Sequence, residues 1–316
     1  MKRHRQTIKI HNITIKRNNY TRRQKQQIAQ TIKPITRDEA ISDFNELRAR
    51  CASARRCAAP GLDRVGNTVV DYFTFRERLE TVGNKGINFY DFYNNRRAFS
   101  RKKYVRKFLA LEGERGAAAE KLYYRLFNFY FGSINAFRPR VAMSIYAQYR
   151  PQTVLDMTMG WGGRAIGAAA LDVPRYIGID LNRNLRAPYA ELERALAPHT
   201  KTKFDFRFCD ALTVDYSKLD YDMVFTSPPY YSIEVYQNMK NHETKEEWNE
   251  AFYRPLIEKT YAHLKRGGVY ALNVPSEVYE SACVPILGAA KRRIALKKST
   301  RNIGKYGEFI YIWIRG

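Results

Sequence analysis

The 316-residue chain contains little cysteine and no long apolar run. Its four cysteines (Cys51, Cys57, Cys209 and Cys283) are too scattered to crosslink the chain and lack zinc-site spacing, so we expect free thiols at Cys51 and Cys57 and no metal site. No segment approaches the roughly 18–20 apolar residues of a membrane helix, which predicts no membrane span. The first residues are charged where a secretion signal is apolar, which favours an intracellular protein.

Acidic residues are absent from residues 1–37, which contain eleven basic residues. Residues 1–150 hold 32 basic and 12 acidic residues, a net charge of +20, whereas residues 151–316 contribute only +4. Because the excess lies in one half, it indicates a polyanionic partner, and nucleic acid attracts basic surfaces through its phosphates. The alternative is a merely well-solvated basic surface.

Helical signals dominate the N-terminal half. Thr21 with Gln24 and Thr36 with Glu39 have the spacing of capping boxes, and apolar residues at helical intervals follow the second pair. The sequence therefore predicts helices after Thr21 and over residues 37–51. We predict three regions: a basic flexible arm over 1–37, a basic, mainly helical nucleic-acid-binding region over 38–133, and an α/β domain over 134–316.

Apolar strands and amphipathic helices alternate from Gln152 onward, which predicts a parallel sheet. The last two strands have no helix between them, which predicts an antiparallel hairpin at the sheet edge. The expected fold class is therefore α/β: a Rossmann-like, seven-stranded sheet with an antiparallel terminal hairpin, preceded by a basic, mainly helical N-terminal region.

Ligands of an open α/β sheet bind at the carboxyl ends of its strands. Here the first strand ends at Asp156 and leads into a glycine turn over residues 160–163, where bare backbone lets a ligand approach closely. The next two strands end at Asp180 and Asp210. Each feature alone is typical of an ordinary turn or helix cap. Together, at successive strand ends, they predict an adenosine-sized site.

The fourth strand ends in a serine, two prolines and a tyrosine, Ser227-Pro228-Pro229-Tyr230. An NAD enzyme would instead be indicated by G-x-G-x-x-G after the first strand, but these glycines run G-W-G-G. Consecutive prolines restrict the backbone and remove its donors. The Ser227 hydroxyl and the Pro228 carbonyl, beside the Tyr230 ring, suit an exocyclic amine on a planar base. Alternatively, the prolines end the strand and Tyr230 lies in the core. Asn273, at the end of the fifth strand, is a further candidate for this pocket.

With these motifs, residues 135–316 resemble the S-adenosylmethionine-dependent DNA amino-methyltransferases of cytosine N4 and adenine N6, and more closely the methylase-like proteins of large DNA viruses and phages. DMTMGWGG stands where that family has its D-x-F-x-G-x-G cofactor loop, although Met157 and Met159 depart from the usual residues. TSPPYY is similar to the catalytic D/N/S-P-P-Y/F motif. Only 66 residues separate Gly160 from Ser227, which leaves no room for a target-recognition domain.

The resemblance implies a methyltransferase domain over 134–316 that uses S-adenosylmethionine to methylate an exocyclic amino group of a DNA base. The base would leave the duplex and stack on Tyr230, and serine in the motif favours cytosine N4 over adenine N6. The implied catalytic residues are Ser227, Pro228, Pro229 and Tyr230. The implied cofactor-binding residues are Asp156, Met157, Gly160, Gly162, Gly163, Asp180, Leu181, Asp210 and Ala211, with Phe137, Arg138 and Pro139 in an additional motif upstream. A viral protein of this kind would act in the host cytoplasm or nucleus.

Two alternatives stay open: an RNA base methyltransferase, whose cofactor domain would look alike, and a catalytically silent nucleic-acid-binding protein that retains only the fold. The intact catalytic motif argues against the second. For nucleic-acid contacts the sequence offers a basic stretch over 96–107, interleaved with four candidate stacking rings: Tyr93, Phe99, Tyr104 and Phe108.

Overall fold

The computed structural model describes residues 9–51, 63–113, 118–231, 234–235, 239, 242–296 and 308–316. The chain divides into two compact units. Unit 1 comprises Met1–Thr36, Phe75–Asn135 and Ile233–Gln237; unit 2 comprises Arg37–Thr74, Ala136–Ser232 and Asn238–Gly316. None of the helices in the described ranges is long and apolar enough to cross a membrane.

The described strands are, in chain order, β1 (Lys9–Ile10), β2 (Ile13–Thr14), β3 (Val82–Gly83), β4 (Thr153–Asp156), β5 (Arg175–Ile179), β6 (Lys203–Arg207), β7 (Met223–Thr226), β8 (Glu234–Val235), β9 (Val269–Pro275), β10 (Arg292–Ala295) and β11 (Glu308–Ile314). The described α-helices are α1 (Arg22–Ile32), α2 (Arg37–Ala49), α3 (Asn67–Arg78), α4 (Phe89–Asn94), α5 (Arg96–Phe99), α6 (Lys103–Gly113), α7 (Ala119–Phe131), α8 (Pro139–Tyr149), α9 (Gly163–Ala170), α10 (Arg186–Leu196), α11 (Lys245–Trp248), α12 (Arg254–Ala262), α13 (Ser276–Val278) and α14 (Val284–Leu287).

Unit 1 is mainly helical and has an aromatic core. Phe89 and Phe92 on α4 lie against Phe127 on α7, with ring centroids 5.6 and 5.4 Å away. Two of the four candidate stacking rings belong to this core: Tyr93 and Phe99 are buried. The expectation that they offer open faces to bases is therefore wrong, because the helices that carry them turn these rings inward.

The described part of the expected flexible arm is folded. The Thr21 side chain accepts a hydrogen bond from the Gln24 backbone N–H, and the Gln24 side chain accepts one from the Thr21 N–H, which confirms the predicted capping box. Helix α1 buries Ile28 and Ile32 in the core of unit 1, and Ile13 of β2 joins them. Residues 9–36 thus belong to a folded unit, because their apolar residues bury against α4 and α7. Residues 1–8 lie outside the described residues.

The sheet of unit 2 has the strand order β10-β11-β9-β7-β4-β5-β6. Strands β9, β7, β4, β5 and β6 pair in parallel, and β11 runs antiparallel to both of its neighbours. This confirms the expected Rossmann-like, seven-stranded sheet with an antiparallel terminal hairpin. Four consecutive positions of β7 are fully buried, as expected for a parallel strand covered on both faces.

The boundary expected at residue 134 lies close to the break between the units after Asn135, but residues 37–74, most of which were expected in the N-terminal region, belong to unit 2. The predicted helix over 37–51 forms as α2, and it docks through Arg48, which donates to the Ala169 carbonyl at 3.2 Å and pairs with Asp172 at 2.8 Å. Cys51 at its end is disulfide-bonded, which corrects the expected free thiol, whereas Cys209 and Cys283 are free. Cys57 lies outside the described residues.

Candidate active site

The five parallel strands end at one edge of the sheet and bring together residues that are far apart in sequence. In sheet order, β9 ends near Asn273, β7 is followed by Ser227, β4 by the glycine turn, β5 by Asp180 and β6 by Asp210. This edge is where an open α/β sheet binds ligands.

The glycine turn after β4 is fixed by hydrogen bonds with two side chains, and its residue Gly160 has open space beside the Cα atom. Gly160 and Gly162 have φ values of +57° and +90°, which other residues adopt only with strain. The Gly160 N–H donates to Asp180 Oδ2 at 2.8 Å, and the Tyr189 hydroxyl donates to the Gly160 carbonyl at 3.0 Å. A Cβ added at Gly160 would meet only the Thr158 carbonyl, 3.7 Å away. At Gly160 the turn therefore presents bare backbone to open space, whereas Gly162 and Gly163 are buried.

Gly163 has a different role from Gly160. A Cβ on Gly163 would come within 1.8 Å of the Phe137 carbonyl oxygen, so this glycine admits the chain segment before α8. The Phe137 ring covers the Arg164 guanidinium at 5.2 Å. Arg138 is the N-cap of α8, and buried Pro139 occupies its first turn. The upstream segment thus packs on the glycine turn, with Pro139 as a helix-start residue, and the cofactor contacts that the resemblance implies for Phe137, Arg138 and Pro139 stay a prediction.

Asp180 is the carboxylate best placed for a ligand at this edge. Its two oxygens accept the backbone N–H groups of Gly160 and Asn182, each at 2.8 Å, which fixes its orientation. Burial raises the pKa of Asp180 to about 6 despite these hydrogen bonds. Leu181 beside it is half-buried. Carboxylate oxygens have capacity for further donors, and vicinal hydroxyls are suitable ones.

Asp210 lies after the neighbouring strand, since the Asp180 N–H donates to the Arg207 carbonyl of β6 at 3.0 Å. Asp210 Oδ1 accepts the Leu212 N–H at 2.9 Å and starts a 3₁₀ turn in which Ala211 is buried. The two carboxylates and the glycine turn therefore occupy three adjacent strand ends.

Asp156 does not face this site, which corrects its expected role as a cofactor ligand. Its side chain is fully buried and pairs with Arg164 at 2.7 Å, while Tyr176 and Thr226 donate to its oxygens at 2.5 and 2.7 Å. The Met157 side chain is likewise buried in the core, and a contact of this residue with the cofactor stays a prediction. Strand β4 turns the Asp156 side chain inward, where a carboxylate persists only with such partners.

Thr226 connects the glycine-turn strand to the catalytic-motif strand. Its hydroxyl lies 2.6 Å from the Thr158 hydroxyl and accepts the Thr158 N–H at 3.2 Å, in addition to its bond to Asp156. The two segments are 68 residues apart in sequence. The turn and the catalytic motif are thereby held at a fixed spacing.

The catalytic motif is organised by Asn273 at the end of β9. The Asn273 side-chain amide donates to Ser227 Oγ at 3.0 Å and to the Tyr230 hydroxyl at 2.7 Å. Asn273 is buried, whereas Ser227 and Tyr230 are half-buried. One buried amide thus sets the positions of a hydroxyl and of an aromatic ring, and the sequence marked Asn273 only by its strand-end location.

Tyr253, which was not predicted from the sequence, holds the motif in place by two hydrogen bonds to its backbone. The Tyr253 hydroxyl donates to the Pro229 carbonyl and accepts the Tyr231 N–H at 3.1 Å. Tyr231 has a φ of +50°, an uncommon value for a bulky residue. The Pro229 carbonyl therefore faces Tyr253, while the carbonyl of buried Pro228 accepts no hydrogen bond within the described part of the chain. No sequence signal marks Tyr253, which lies in a π-helical segment, Asn249–Tyr253.

Comparison with known proteins yields similarity of fold alone. Neither protein-family models nor curated proteins match this chain. Solved structures with a similar fold include TrmN from Thermus thermophilus, 16% identical over 57% of this chain and 50% of that chain, with a TM-score of 0.44. NSun6 from Pyrococcus horikoshii, solved with SFG, is 20% identical over 55% and 51%, with a TM-score of 0.39. An rRNA methylase from Streptococcus thermophilus is 14% identical over 58% and 99%, with a TM-score of 0.37.

The chain thus spans about half the length of TrmN and of NSun6. At these identities and TM-scores the similarity does not bear on the substrate. The strand order of unit 2 and its antiparallel β11 make the fold a Rossmann-like sheet of the methyltransferase type. Among the described residues, no three histidine, cysteine or acidic side chains come together in a group that could hold a metal ion.

Proposed function

We propose that the protein transfers the methyl group of S-adenosylmethionine to an exocyclic amino group of a base in nucleic acid. The observation that carries the proposal is the bifurcated contact of Asn273 with Ser227 and Tyr230, next to an open glycine turn. This arrangement combines hydrogen-bond acceptors for an amine, a ring for a planar base and bare backbone for a nucleoside on adjacent strand ends.

The residues beside the glycine turn fit the cofactor. Asp180 would accept the ribose hydroxyls, Asp210 the adenine amine, and a Cβ-free Gly160 would admit the cofactor against the backbone. When bound, the cofactor supplies an electrophilic methyl group on a sulfonium sulfur. Asp156 and Arg164 would act beneath the turn by holding its shape.

Ser227 and Pro228 would orient the amine. Because Asn273 donates to Ser227 Oγ, the hydroxyl oxygen retains a lone pair for an amine N–H. The Pro228 carbonyl would accept the second N–H, which would leave the nitrogen lone pair free to meet the methyl group that the cofactor supplies. Transfer would form the N–C bond as the methyl–sulfur bond breaks, with the neutral thioether S-adenosylhomocysteine as the leaving group. The proton that the methylated nitrogen loses would go to solvent, because a hydroxyl and a peptide carbonyl accept hydrogen bonds but are not bases. Catalysis therefore relies on positioning more than on a strong base.

Tyr230 would hold the base. Its hydroxyl is fixed by Asn273, so the ring is kept in one orientation, and a stacked base gains about 1–3 kcal/mol from such a ring. The resemblance of the motif to that of the amino-methyltransferases, with serine at this position, favours cytosine N4 in DNA. RNA is the second candidate substrate, because the proposed contacts of Ser227, Pro228 and Tyr230 are with the base and its amine and not with the sugar that distinguishes RNA from DNA.

The test uses the purified full chain with S-adenosylmethionine and either unmethylated DNA or transcribed RNA, followed by mass spectrometry of the nucleosides. We expect a base methylated on its exocyclic nitrogen in one of the two polymers. Ser227→Ala should reduce the product strongly, whereas Ser217→Ala, an exposed serine on a 3₁₀ turn, should not. A protein that binds the cofactor but methylates neither polymer would contradict the proposal.

A further inference from the structure

Two large apolar residues of unit 1 are exposed to solvent. Phe129 on α7 is 66% exposed and Leu111 on α6 is 64% exposed, whereas the other large apolar residues of the described chain are at least half covered or buried. The Phe129 ring lies 6.1 Å from that of Phe108 and 4.8 Å from that of Tyr130. We call the rings Phe108, Phe129 and Tyr130 the aromatic platform.

Helix α6, which carries Phe108, also carries three exposed basic residues: Lys103, Arg106 and Lys107. None of the three forms an ion pair with any residue in the described ranges. Because Lys103, Arg106 and Lys107 are three and four residues apart, they share one face of α6, and exposed Leu111 continues it. We call these three residues the cation row.

The chemistry of the platform and the row selects a polyanion that carries planar groups. The exposed ring of Phe129, flanked by the half-buried rings of Phe108 and Tyr130, can stack on a base, and the three cations can neutralise phosphates. A second copy of this chain is disfavoured as the occupant, since unit 1 carries 23 basic and 7 acidic residues and would meet its own charge.

We infer that the aromatic platform and the cation row form a binding site for single-stranded nucleic acid, separate from the strand-end site. Stacking and phosphate contacts do not involve the sugar, so DNA and RNA strands should bind alike. The inference extends the proposed function by naming where a substrate strand is held. Binding is measured without cofactor, so a failure here is distinguishable from an absence of methyl transfer.

The first measurement is the anisotropy of fluorescein-labelled 20-nucleotide oligo-dT and oligo-U, titrated with full-length protein at several salt concentrations. Phe129→Ala should weaken binding of both about 5- to 100-fold and leave the salt dependence unchanged, because only stacking is removed. Phe129 is exposed, so this substitution leaves the core intact. Phe129→Tyr, which keeps a ring, should bind like the wild type.

The second measurement concerns the cation row. The triple variant Lys103→Ala, Arg106→Ala, Lys107→Ala should reduce the slope of log affinity against log salt by about 2, because each neutralised phosphate of a single strand contributes about 0.7 to that slope. The charge-matched control is Arg194→Ala, Lys201→Ala, Lys203→Ala, three exposed residues before or at the amino end of β6 in unit 2. This control should keep the wild-type slope.

The inference is overturned if the wild type binds neither oligonucleotide or if Phe129→Ala and the triple variant both bind like the wild type. It is also overturned if these variants lose binding only to anionic phosphatidylserine vesicles, or if Phe129→Ala changes only the oligomeric state in sedimentation. Thermal unfolding of each variant shows that weaker binding does not come from unfolding.

Discussion

The two units differ in their excess of basic over acidic residues. Unit 1 has 23 basic and 7 acidic residues in 102, a net charge of +16, whereas unit 2 has 32 and 24 in 214, a net charge of +8. In unit 2 several charges are paired internally, such as Asp156 with Arg164 and Arg48 with Asp172. In unit 1 an exposed row of cations has no acidic partner among the described residues. Acidic residues of unit 1 are paired as well, such as Asp91 with Arg17 and Glu80 with Lys25, but they are few, and the cation row stays available to a polyanion.

The largest expected effect comes from breaking the internal pairing of unit 2. Arg164→Met should destabilise the protein by about 3–5 kcal/mol, because Asp156 would stay buried without its cation. Urea unfolding followed by circular dichroism measures the change. The control is Arg48→Ala, whose pair with Asp172 is about one-third exposed and should contribute about 1 kcal/mol or less. Equal losses in the two variants would contradict the distinction between buried and surface pairs.

The next effect concerns the ligand carboxylate of unit 2. Asp180→Ala should weaken S-adenosylmethionine binding about 10- to 100-fold, since hydrogen bonds to a charged group contribute about 1.5–3 kcal/mol. Isothermal titration calorimetry measures the affinity for the cofactor. Because the variant loses the hydrogen bond that Gly160 donates to Asp180, thermal unfolding serves as the check that the protein is still folded. Cofactor affinity within twofold of the wild type would remove Asp180 from the site. Oligonucleotide binding by unit 1 should not change.

A substitution of Asn273 distinguishes the positioning of Ser227 and Tyr230 from the binding of the cofactor. Asn273→Ala should lower kcat about 5- to 100-fold, because two hydrogen bonds worth about 0.5–1.5 kcal/mol each no longer place Ser227 and Tyr230. The cofactor Kd should stay the same, since Asn273 lies on β9 and the residues proposed to bind the cofactor follow β4, β5 and β6. Single-turnover methylation and calorimetry distinguish the two quantities. A parallel loss of cofactor affinity would indicate a general structural defect.

The raised pKa of Asp180 predicts a pH dependence with a definite sign. Below about pH 6 the carboxyl is protonated and accepts hydroxyl donors poorly, so cofactor affinity should fall about fivefold between pH 6 and pH 5. The folded-state pKa lies above the ordinary value, so this group also makes the protein less stable as the pH rises from about 4 to 6. Asp180→Asn should bind with a flat pH profile over this range, and a wild-type profile that is equally flat would contradict the assignment.

The smallest expected effect is the loss of a helix N-cap, which can be used to test whether the two units unfold separately. Thr21 caps α1 in unit 1 and Thr244 caps α11 in unit 2, each by accepting a backbone N–H. Replacing either with alanine should cost about 1 kcal/mol. In calorimetric scans, Thr21→Ala should shift only the transition of unit 1 and Thr244→Ala only that of unit 2. If both substitutions shift a single shared transition, the two units unfold cooperatively.

Features that depend on interactions between residues close in sequence could be predicted, whereas features that depend on contacts between distant residues could not. The strand alternation, the terminal hairpin and the Thr21 cap were predictable, because each depends on neighbours within one or two elements. The inward orientation of Asp156 and the burial of Phe99 were not, because each depends on distant partners that fill the space around them. Tyr253 left no local signal, since its contact with the catalytic motif spans 24 residues.

The sequence by itself determined which residues end the strands, where bare glycine backbone occurs and which half carries the charge. These are properties of composition and short-range periodicity, and a parallel sheet necessarily gathers its strand ends at one edge. Only the tertiary structure decided which of those side chains face the site. Side-chain direction depends on what packs beneath: Arg164 and Tyr176 draw Asp156 inward, whereas the Gly160 and Asn182 N–H groups hold Asp180 at the ligand edge.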